Sequence, residues 1–267
     1  MSSPDEWLAL VRWRNALLAG AGVSAGAWWS AGRLTAPVAV TVVAAFALTA
    51  VANATNDIVD VDIDRVAHPE RPLPSGAITS QHASRFAVAC SILAVGLMAT
   101  VAWWLAVLTV GVVAIMWTYS TRLKRHGVPG NVAVAAVASL PFLYGAAAVG
   151  EVGQGALLVA VAAPLHFGRE VAKDVEDASA DAATRRTVPV SRGLRTARLT
   201  VAGSVAAYAA AVALLATAYP LFALLLIPTI FLAALAVRRL FAGRGGTAQL
   251  LKAAMVVAIA ALVISGR

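Results

Sequence analysis

Four aspartates stand close together in residues 56–64, which read Asn-Asp-Ile-Val-Asp-Val-Asp-Ile-Asp and are called the first acidic motif below. The long run before this motif carries no charge, so the motif lies at the end of a segment apolar enough for a bilayer. In a helix, Asp57, Asp60 and Asp64 share one face. The fourth aspartate, Asp62, points elsewhere. Carboxylates crowded in this way need protonation, basic partners or a divalent cation, and Mg²⁺ prefers such oxygen ligands beside a phosphate.

The same spacing recurs more than a hundred residues later. Asp174, Asp177 and Asp181 again stand at i, i+3 and i+7, and residues 174–181 are called the second acidic motif. Glu170 lies one helical turn before them. Two acidic faces of matched spacing, each at the end of an apolar segment, predict two walls of one metal site.

Basic residues near these motifs are candidate ligands for a phosphate group. Arg65 and Arg71 follow the first motif, and arginine suits phosphate because its guanidinium group donates two hydrogen bonds at once. Arg122 and Lys124 lie in a third polar segment that begins at Tyr119. The alternative is that these residues anchor the protein at the lipid headgroups, where basic residues and tyrosine are common.

The composition indicates an all-α polytopic membrane protein. Of the 267 residues, 60% are hydrophobic and only 13% are charged, and the apolar runs reach bilayer-spanning length. The single cysteine, Cys90, excludes an internal disulfide. The first residues carry both charge signs and no short apolar core with a cleavage site, which predicts that no signal peptide is removed.

The apolar runs predict about nine transmembrane helices. The uncharged run 86–121 is too long for one ordinary span and short for two, so a turn of almost no length is expected near Trp103. The predicted spans are residues 15–30, 37–55, 86–102, 104–119, 131–150, 155–168 with the residues after them, 199–219, 221–237 and 250–265.

The distribution of basic residues supports this count. With nine spans, every lysine and arginine except Arg33 and Arg267 falls on one side of the membrane, together with the N-terminus. The positive-inside rule assigns that side to the cytoplasm. Both acidic motifs lie there, in loops expected at about 56–84 and 169–198. The net charge of +8 follows from this loop topology and, without a soluble basic domain, does not indicate nucleic acid as a partner.

Three sequence patterns resemble the UbiA-type intramembrane prenyltransferases, over nearly the whole chain. They are Asn56-Asp57-x-x-Asp60-x-x-x-Asp64, Arg71-Pro-Leu-Pro-Ser-Gly76 and Asp177-x-x-x-Asp181. The resemblance implies one domain over residues 1–267, with nine helices around a central cavity. It also implies that both acidic motifs bind Mg²⁺ and, through it, the diphosphate of an isoprenyl donor. The implied metal-binding residues are Asn56, Asp57, Asp60, Asp64, Asp174, Asp177 and Asp181. The six aspartates are also the implied catalytic residues.

Within that family, residues 169–177 and 187–190 are most similar to the enzymes that add a geranylgeranyl chain to a glycerol-phosphate ether lipid. Three departures from the family pattern are Trp13 for a frequent proline, Ala180 for a glycine, and a Tyr-to-Lys spacing one residue longer than in several aromatic prenyltransferases. The longer spacing favours the lipid acceptor. The implied substrate-binding residues are Arg12, Asn15, Asn56, Arg65, Arg71, Tyr119, Arg122, Lys124, Asn131 and Lys173.

Two alternatives stay open. In the first alternative, the acceptor is an aromatic quinone precursor of the 4-hydroxybenzoate, dihydroxynaphthoate or homogentisate type. In a different functional class, a cation transporter also holds acidic residues within the membrane. Its carboxylates would lie near the midplane of broken helices, whereas both motifs here are expected at one membrane interface beside arginine and lysine.

Overall fold

The regular structure of the protein is helical in the computed structural model, which describes residues 3–181 and 186–266, without the side chains of residues 180 and 181. A 3₁₀ turn, Leu123–Arg125, and an isolated β-bridge between His126 and Arg186 complete the regular elements of these residues. The helices are α1 (Pro4–Val11), α2 (Trp13–Ala31), α3 (Ala36–Ala67), α4 (Ser80–Val101), α5 (Trp103–Thr121), α6 (Gly127–Ala148), α7 (Val152–Glu176), α8 (Ala178–Asp181), α9 (Val188–Leu215), α10 (Pro220–Leu225), α11 (Ile227–Phe241) and α12 (Thr247–Ile264).

Eight segments of the described chain are long and apolar enough to cross a membrane. They are α3, α4, α5, α6, α7, α9, α12, and α10 together with α11. Helix α2 is also of spanning length but carries Arg14 and Asn15 in its first turn and lies outside this set. The eight segments and α2 together match the predicted nine, so the all-α polytopic fold is confirmed.

The very short connection near Trp103 is also confirmed. Helix α4 ends at Val101 and α5 begins at Trp103, so only Ala102 lies between them. Ala102 is extended, with φ −162° and ψ 140°, and its N–H still donates to the carbonyl of Met98 at 3.0 Å. A single extended residue is therefore enough to end one span and start the next.

One compact unit comprises the chain up to Ser24 together with Leu34–Thr121. In it α3 packs against α4 and α5, and α1 packs against α3. The segment 68–79 folds back beside the end of α3 because Leu73 and Ile78 are buried in a small core there. This fold brings Arg71 close to the first acidic motif.

A second compact unit comprises Ala25–Arg33 and Arg122–Arg267. Helix α7 is central in it, since α7 packs against α6, α9 and α12. Gly155 allows α6 and α7 to approach closely, because a Cβ atom there would lie 2.8 Å from the Cα atom of Leu143. The helix that carries the start of the second acidic motif is thus held on three sides.

The helices extend well into the two segments predicted as loops. Helix α3 continues through the whole first motif to Ala67, and only residues 68–79 separate it from α4. Helix α7 runs through Asp174 to Glu176, and α9 already begins at Val188. Much of the segments 56–84 and 169–198, which were predicted as the loops that carry the acidic motifs, is therefore helical. The helices continue past their apolar parts because the buried carboxylates there have cationic partners.

Candidate active site

The C-terminal part of α3 carries the first acidic motif on a largely buried face. Asp57 and Asp64 are 3% and 5% exposed. Asp60 is half-buried, whereas Asp62 is exposed. This burial agrees with the helix face predicted from the spacing. Two buried carboxylates need partners, since an unpaired charge out of water is costly, and each has an arginine.

Arg12 is the partner of Asp57, and its Nη2 atom lies 2.7 Å from Oδ1 of Asp57. Arg12 stands between α1 and α2 with a left-handed φ of 52°. Buried Asn53 donates from Nδ2 to the carbonyl of Val11 at 2.8 Å and so fixes the backbone just before Arg12. Asn53 was not among the predicted site residues, although an asparagine within an uncharged apolar run is a usable signal.

Asp64 is paired with Arg71, whose Nη1 atom lies 2.6 Å from Oδ2 of Asp64. Arg65 instead pairs with Asp62 at 2.7 Å, and these two side chains are 62% and 84% exposed. Of the two arginines predicted as phosphate ligands after the first motif, Arg71 thus lies beside the buried face and Arg65 on the exposed face.

Asn56 is positioned by α5. The buried hydroxyl of Ser120 donates to Oδ1 of Asn56 at 2.9 Å and lies 3.4 Å from the hydroxyl of Thr55. Ser120, which follows Tyr119, was not among the predicted site residues. Tyr119 is half-buried in the last turn of α5, and Asn15 is exposed in the first turn of α2.

A carboxylate shared by two cations precedes the second acidic motif. Glu170 is 7% exposed. Its Oε1 atom lies 2.7 Å from Nη1 of Arg169, and its Oε2 atom lies 3.0 Å from Nζ of Lys173. The Nε atom of Arg169 is buried and has no hydrogen-bond partner among the described residues. These three side chains carry one net positive charge, so the cluster can accept an anion.

The spacing predicted that the second acidic motif forms one continuous helix face. In the structure this face is interrupted. Asn131, buried at the start of α6, donates from Nδ2 to Oδ2 of Asp174 at 2.8 Å. Helix α7 then ends at Glu176, and Asp177 is its exposed C-cap with φ −94° and ψ 2°. The helical run is interrupted at this cap before the short α8. The side chain of Asp181 lies outside the described part of the structure.

The polar segment between α5 and α6 is fixed through its backbone. The N–H of Arg186 donates to the carbonyl of Arg125 at 3.0 Å, and the N–H of Gly127 donates to the carbonyl of Arg186 at 3.1 Å. Arg122 is exposed and Lys124 is half-buried here. The backbone bonds hold both predicted phosphate ligands of this segment beside the start of α9.

A sequence model of the UbiA prenyltransferase family matches residues 18–264, which is most of the chain. The chain belongs to this family. It is 39% identical to the digeranylgeranylglyceryl phosphate synthase of Halobacterium salinarum over 209 residues, which are 74% of this chain and 74% of that enzyme. It is 36% identical to the digeranylgeranylglyceryl phosphate synthase of Natronomonas pharaonis over 268 residues, 96% of this chain and 94% of that enzyme.

A solved UbiA structure has the same fold. The homologue from Archaeoglobus fulgidus bound to GPP and Mg²⁺ matches this chain with a TM-score of 0.78 at 17% identity. The match covers 97% of this chain and 99% of that one. The likeness confirms the UbiA fold over nearly the whole length of the chain.

The donor atoms of the acidic motifs suit the Mg²⁺ that the UbiA family implies. Among the described residues, no three acidic, histidine or cysteine side chains converge closely enough to hold a metal ion. Mg²⁺ commonly keeps several waters, however, and binds through one or two carboxylates together with substrate phosphates. Asp57 and Asp64 each use one carboxylate oxygen for an arginine in the described contacts, and the second oxygen of each suits a metal ion.

Proposed function

We propose that this UbiA prenyltransferase transfers a geranylgeranyl group from geranylgeranyl diphosphate to geranylgeranylglyceryl phosphate, in an Mg²⁺-dependent step of ether-lipid synthesis. The observation that carries the proposal is the identity of 36% to 39% with digeranylgeranylglyceryl phosphate synthases, over 74% to 96% of the chain. The acidic motifs and the cations beside them supply the chemistry that such a reaction needs.

The reaction exchanges one C–O bond for another. The bond between the allylic carbon and the diphosphate breaks, and the diphosphate leaves with both electrons. The acceptor hydroxyl oxygen then bonds to that carbon as an ether, and the hydroxyl proton passes to water or a base. Mg²⁺ neutralises charge on the departing diphosphate, and charge stabilisation of this kind is usually the largest part of catalysis.

In the first motif, Asp57, Asp60 and Asp64 would hold the ion. The pairs of Arg12 with Asp57 and of Arg71 with Asp64 keep two guanidinium groups at the same helix face. Each arginine has further N–H groups for phosphate oxygens. The motif therefore offers acceptors for a cation and donors for a diphosphate side by side.

In the second motif, Asp174, Asp177 and Asp181 would complete the metal ligands. Asn131 holds Asp174 in a defined orientation, as outer partners of metal ligands commonly do. That both motifs bind the same diphosphate stays a prediction from their matched spacing and from the family resemblance.

The acceptor phosphate needs cations of its own. Arg169 and Lys173 are both half-buried, and they share Glu170, so the cluster keeps one positive charge for an incoming phosphate. An aromatic carboxylate of the 4-hydroxybenzoate type would also satisfy this charge. The similarity to the named synthases favours the glyceryl phosphate.

The protein is a multi-pass membrane protein, and we propose that its active site opens to the cytoplasm and that the chain acts as one domain. All basic residues except Arg33 and Arg267 fall on the side of both acidic motifs in a nine-span topology, which the positive-inside rule makes cytoplasmic. Arg33, one of the two exceptions, donates from Nη2 to the carbonyl of Val149 at 3.3 Å and so has a structural role.

The test is prenyl transfer by the purified, detergent-solubilised protein with radiolabelled geranylgeranyl diphosphate and Mg²⁺. Geranylgeranylglyceryl phosphate and 4-hydroxybenzoate are offered as acceptors in parallel, with and without a chelator. We expect a labelled ether lipid only from the glyceryl phosphate, and none after chelation. Product from the aromatic acceptor alone would overturn the acceptor assignment. No product and no released diphosphate with either acceptor, together with cation flux in proteoliposomes, would favour a transporter.

Three variants separate the motifs from general damage. Asp60→Asn and Asp177→Asn each remove one carboxylate charge from one motif, and we expect at least a hundredfold loss of transfer and a higher Mg²⁺ requirement from both. Asp62→Asn is the matched control, because Asp62 is exposed and paired only with Arg65 in the described contacts. A loss confined to one motif would contradict a metal site built from both.

A further inference from the structure

Three arginines at the end of α11 have no acidic partner among the described residues. Arg238 and Arg239 lie in its last turn and Arg244 in the following loop, and all three are exposed. No carboxylate of the described residues pairs with them. Arg12, Arg71 and Arg169 at the candidate active site, in contrast, each contact an aspartate or glutamate.

These arginines line a half-open cavity at the surface. Its volume is about 280 Å³, and its lining consists of Leu235, Arg238, Arg239, Ala242 and Arg244. That volume holds several water molecules and admits a phosphate group. Guanidinium groups are well suited to such a group because each donates two parallel hydrogen bonds. Interaction with the dipole of α11 is worth at most about 1 kcal/mol at an exposed helix end and does not require a cavity lined by three arginines.

The loop after α11 places the third arginine. Gly243 and Gly246 have positive φ angles of 69° and 82°, which favour glycine and turn the chain tightly. The N–H of Arg244 donates to the carbonyl of Arg239 at 3.0 Å, so the loop folds back onto the helix end. The cation at position 244 is therefore held near the other two by the backbone.

The acidic residue on the helix packed beside this loop is already engaged. Glu176 at the end of α7 accepts hydrogen bonds through Oε1 from the N–H groups of Thr247 at 2.7 Å and Ala248 at 3.2 Å. It caps the first turn of α12 and is not bonded to the arginines in the described contacts. The positive charge of the cavity is therefore open to an anion from outside the protein.

An exposed apolar track leads along α11 to the cavity. Ile227 and Phe231 are 55% and 69% exposed, and Leu235 lines the cavity itself. Their spacing of four residues puts them on the helix face that also carries Arg238. The segment Pro220–Phe241 is long and apolar enough to span the membrane, so this face ends in cations at the edge of the apolar region. A phosphate carried on an acyl or isoprenyl chain matches both the apolar helix face and the cations at its end.

We propose that this cavity binds the phosphate headgroup of an anionic membrane glycerolipid, whose chain lies along the face of Ile227, Phe231 and Leu235. The site is built entirely from α11 and the loop after it, and it shares no residue with the acidic motifs. The proposal is therefore independent of the prenyl acceptor. The bound lipid holds the α11–α12 loop in place and is not consumed.

The experiment measures the thermal unfolding of the full chain in a neutral detergent during titration with three probes. These are dioctanoylphosphatidylglycerol, dioctanoylphosphatidylcholine and inorganic phosphate. We expect saturable stabilisation by phosphatidylglycerol, weakened by added salt, and none by the other two at equal concentration. Equal stabilisation by inorganic phosphate would show that the site binds a soluble anion and would overturn the lipid proposal. Equal stabilisation by phosphatidylcholine, or none by phosphatidylglycerol, would overturn the site.

Matched variants locate the binding. R238Q/R239Q/R244Q should weaken the apparent affinity for phosphatidylglycerol at least tenfold. R85Q/R192Q/R195Q removes the same charge from three other exposed arginines and should change the affinity less than twofold. Equal losses in both variants would indicate attraction to net charge and overturn the cavity. Each single arginine-to-glutamine change should weaken binding by a smaller factor, which keeps the test decisive if the triple variant does not fold.

Discussion

The guanidinium group of Arg12 lies 2.7 Å from the carboxylate of Asp57, although 45 residues separate them in the sequence. The pair joins the start of α2 to the acidic end of α3. Asp57 is almost fully buried, whereas the Arg12 side chain is 38% exposed. The exposed partner can thus turn toward a ligand while the buried one stays fixed.

Replacing Arg12 by glutamine should damage both stability and catalysis. The change leaves the buried Asp57 carboxylate without its cation, which costs about 2 kcal/mol, the loss expected for a hydrogen bond to a charged group. We expect a lower unfolding temperature in detergent and at least a tenfold loss of prenyl transfer.

Two further variants isolate this effect. Arg14→Gln removes an exposed arginine that lies over the Trp13 ring at 5.5 Å, and it should change stability little. Adding Asp57→Asn to Arg12→Gln should restore part of the lost stability, because no charge is then left buried. Activity should not return, since a proposed metal ligand is also lost. Additive losses of stability in the double variant would show that the two residues do not interact.

Arg71 and Arg65 should differ strongly when each is replaced by glutamine. Arg71 contacts Asp64, which is 7% exposed at its side chain, whereas Arg65 contacts Asp62 on the open surface. Loss of an exposed ion pair costs about 0–1 kcal/mol, and loss of a buried one costs more. We expect a clear fall in unfolding temperature and activity only for Arg71→Gln. Equal behaviour of the two variants in the same assays would refute a distinct buried face.

The sequence was sufficient to predict the shared helix face of the first motif and the very short turn near Trp103. Both depend on local periodicity and on the length of apolar runs, which are visible in one sequence. The helix over residues 57–64 follows from the same periodicity, but its end at Ala67 was not predicted, because an apolar run does not reveal where pairing with Arg12 and Arg71 allows a charged helix to continue.

The residues that support the site were missed for a related reason. Asn53 and Ser120 act through contacts with residues 42 and 64 positions away, and a single sequence holds no record of such contacts. The break at Asp177 was also not predicted, since regular spacing persists in the sequence where the helix itself ends. Spacing indicates which residues share a face only while the helix is continuous.

Glu176 is predicted to stabilise the start of α12. Its carboxylate accepts the N–H groups of Thr247 and Ala248, which are among the unpaired donors of a helix N-terminus. Glu176→Ala should destabilise the protein by about 1 kcal/mol, the usual cost of losing such a cap. Thermal unfolding measures this loss, and Glu151→Ala is the control, because Glu151 precedes α7 and makes no side-chain cap. An equal effect of the two changes would mean that the cap of α12 adds nothing.

The kink in α9 gives the sharpest test of the backbone. Gly193 has φ 83° and ψ 157°, a conformation that is essentially restricted to glycine, and a Cβ atom there would meet no atom within 4 Å. Gly193→Ala should therefore cost about 1–3 kcal/mol through backbone strain alone. Gly203 lies in the regular part of the same helix with equally open space, so Gly203→Ala should stabilise by up to about 1 kcal/mol. Thermal unfolding of both variants should shift in opposite directions. A gain of stability in both would show that α9 is a continuous helix through residue 193.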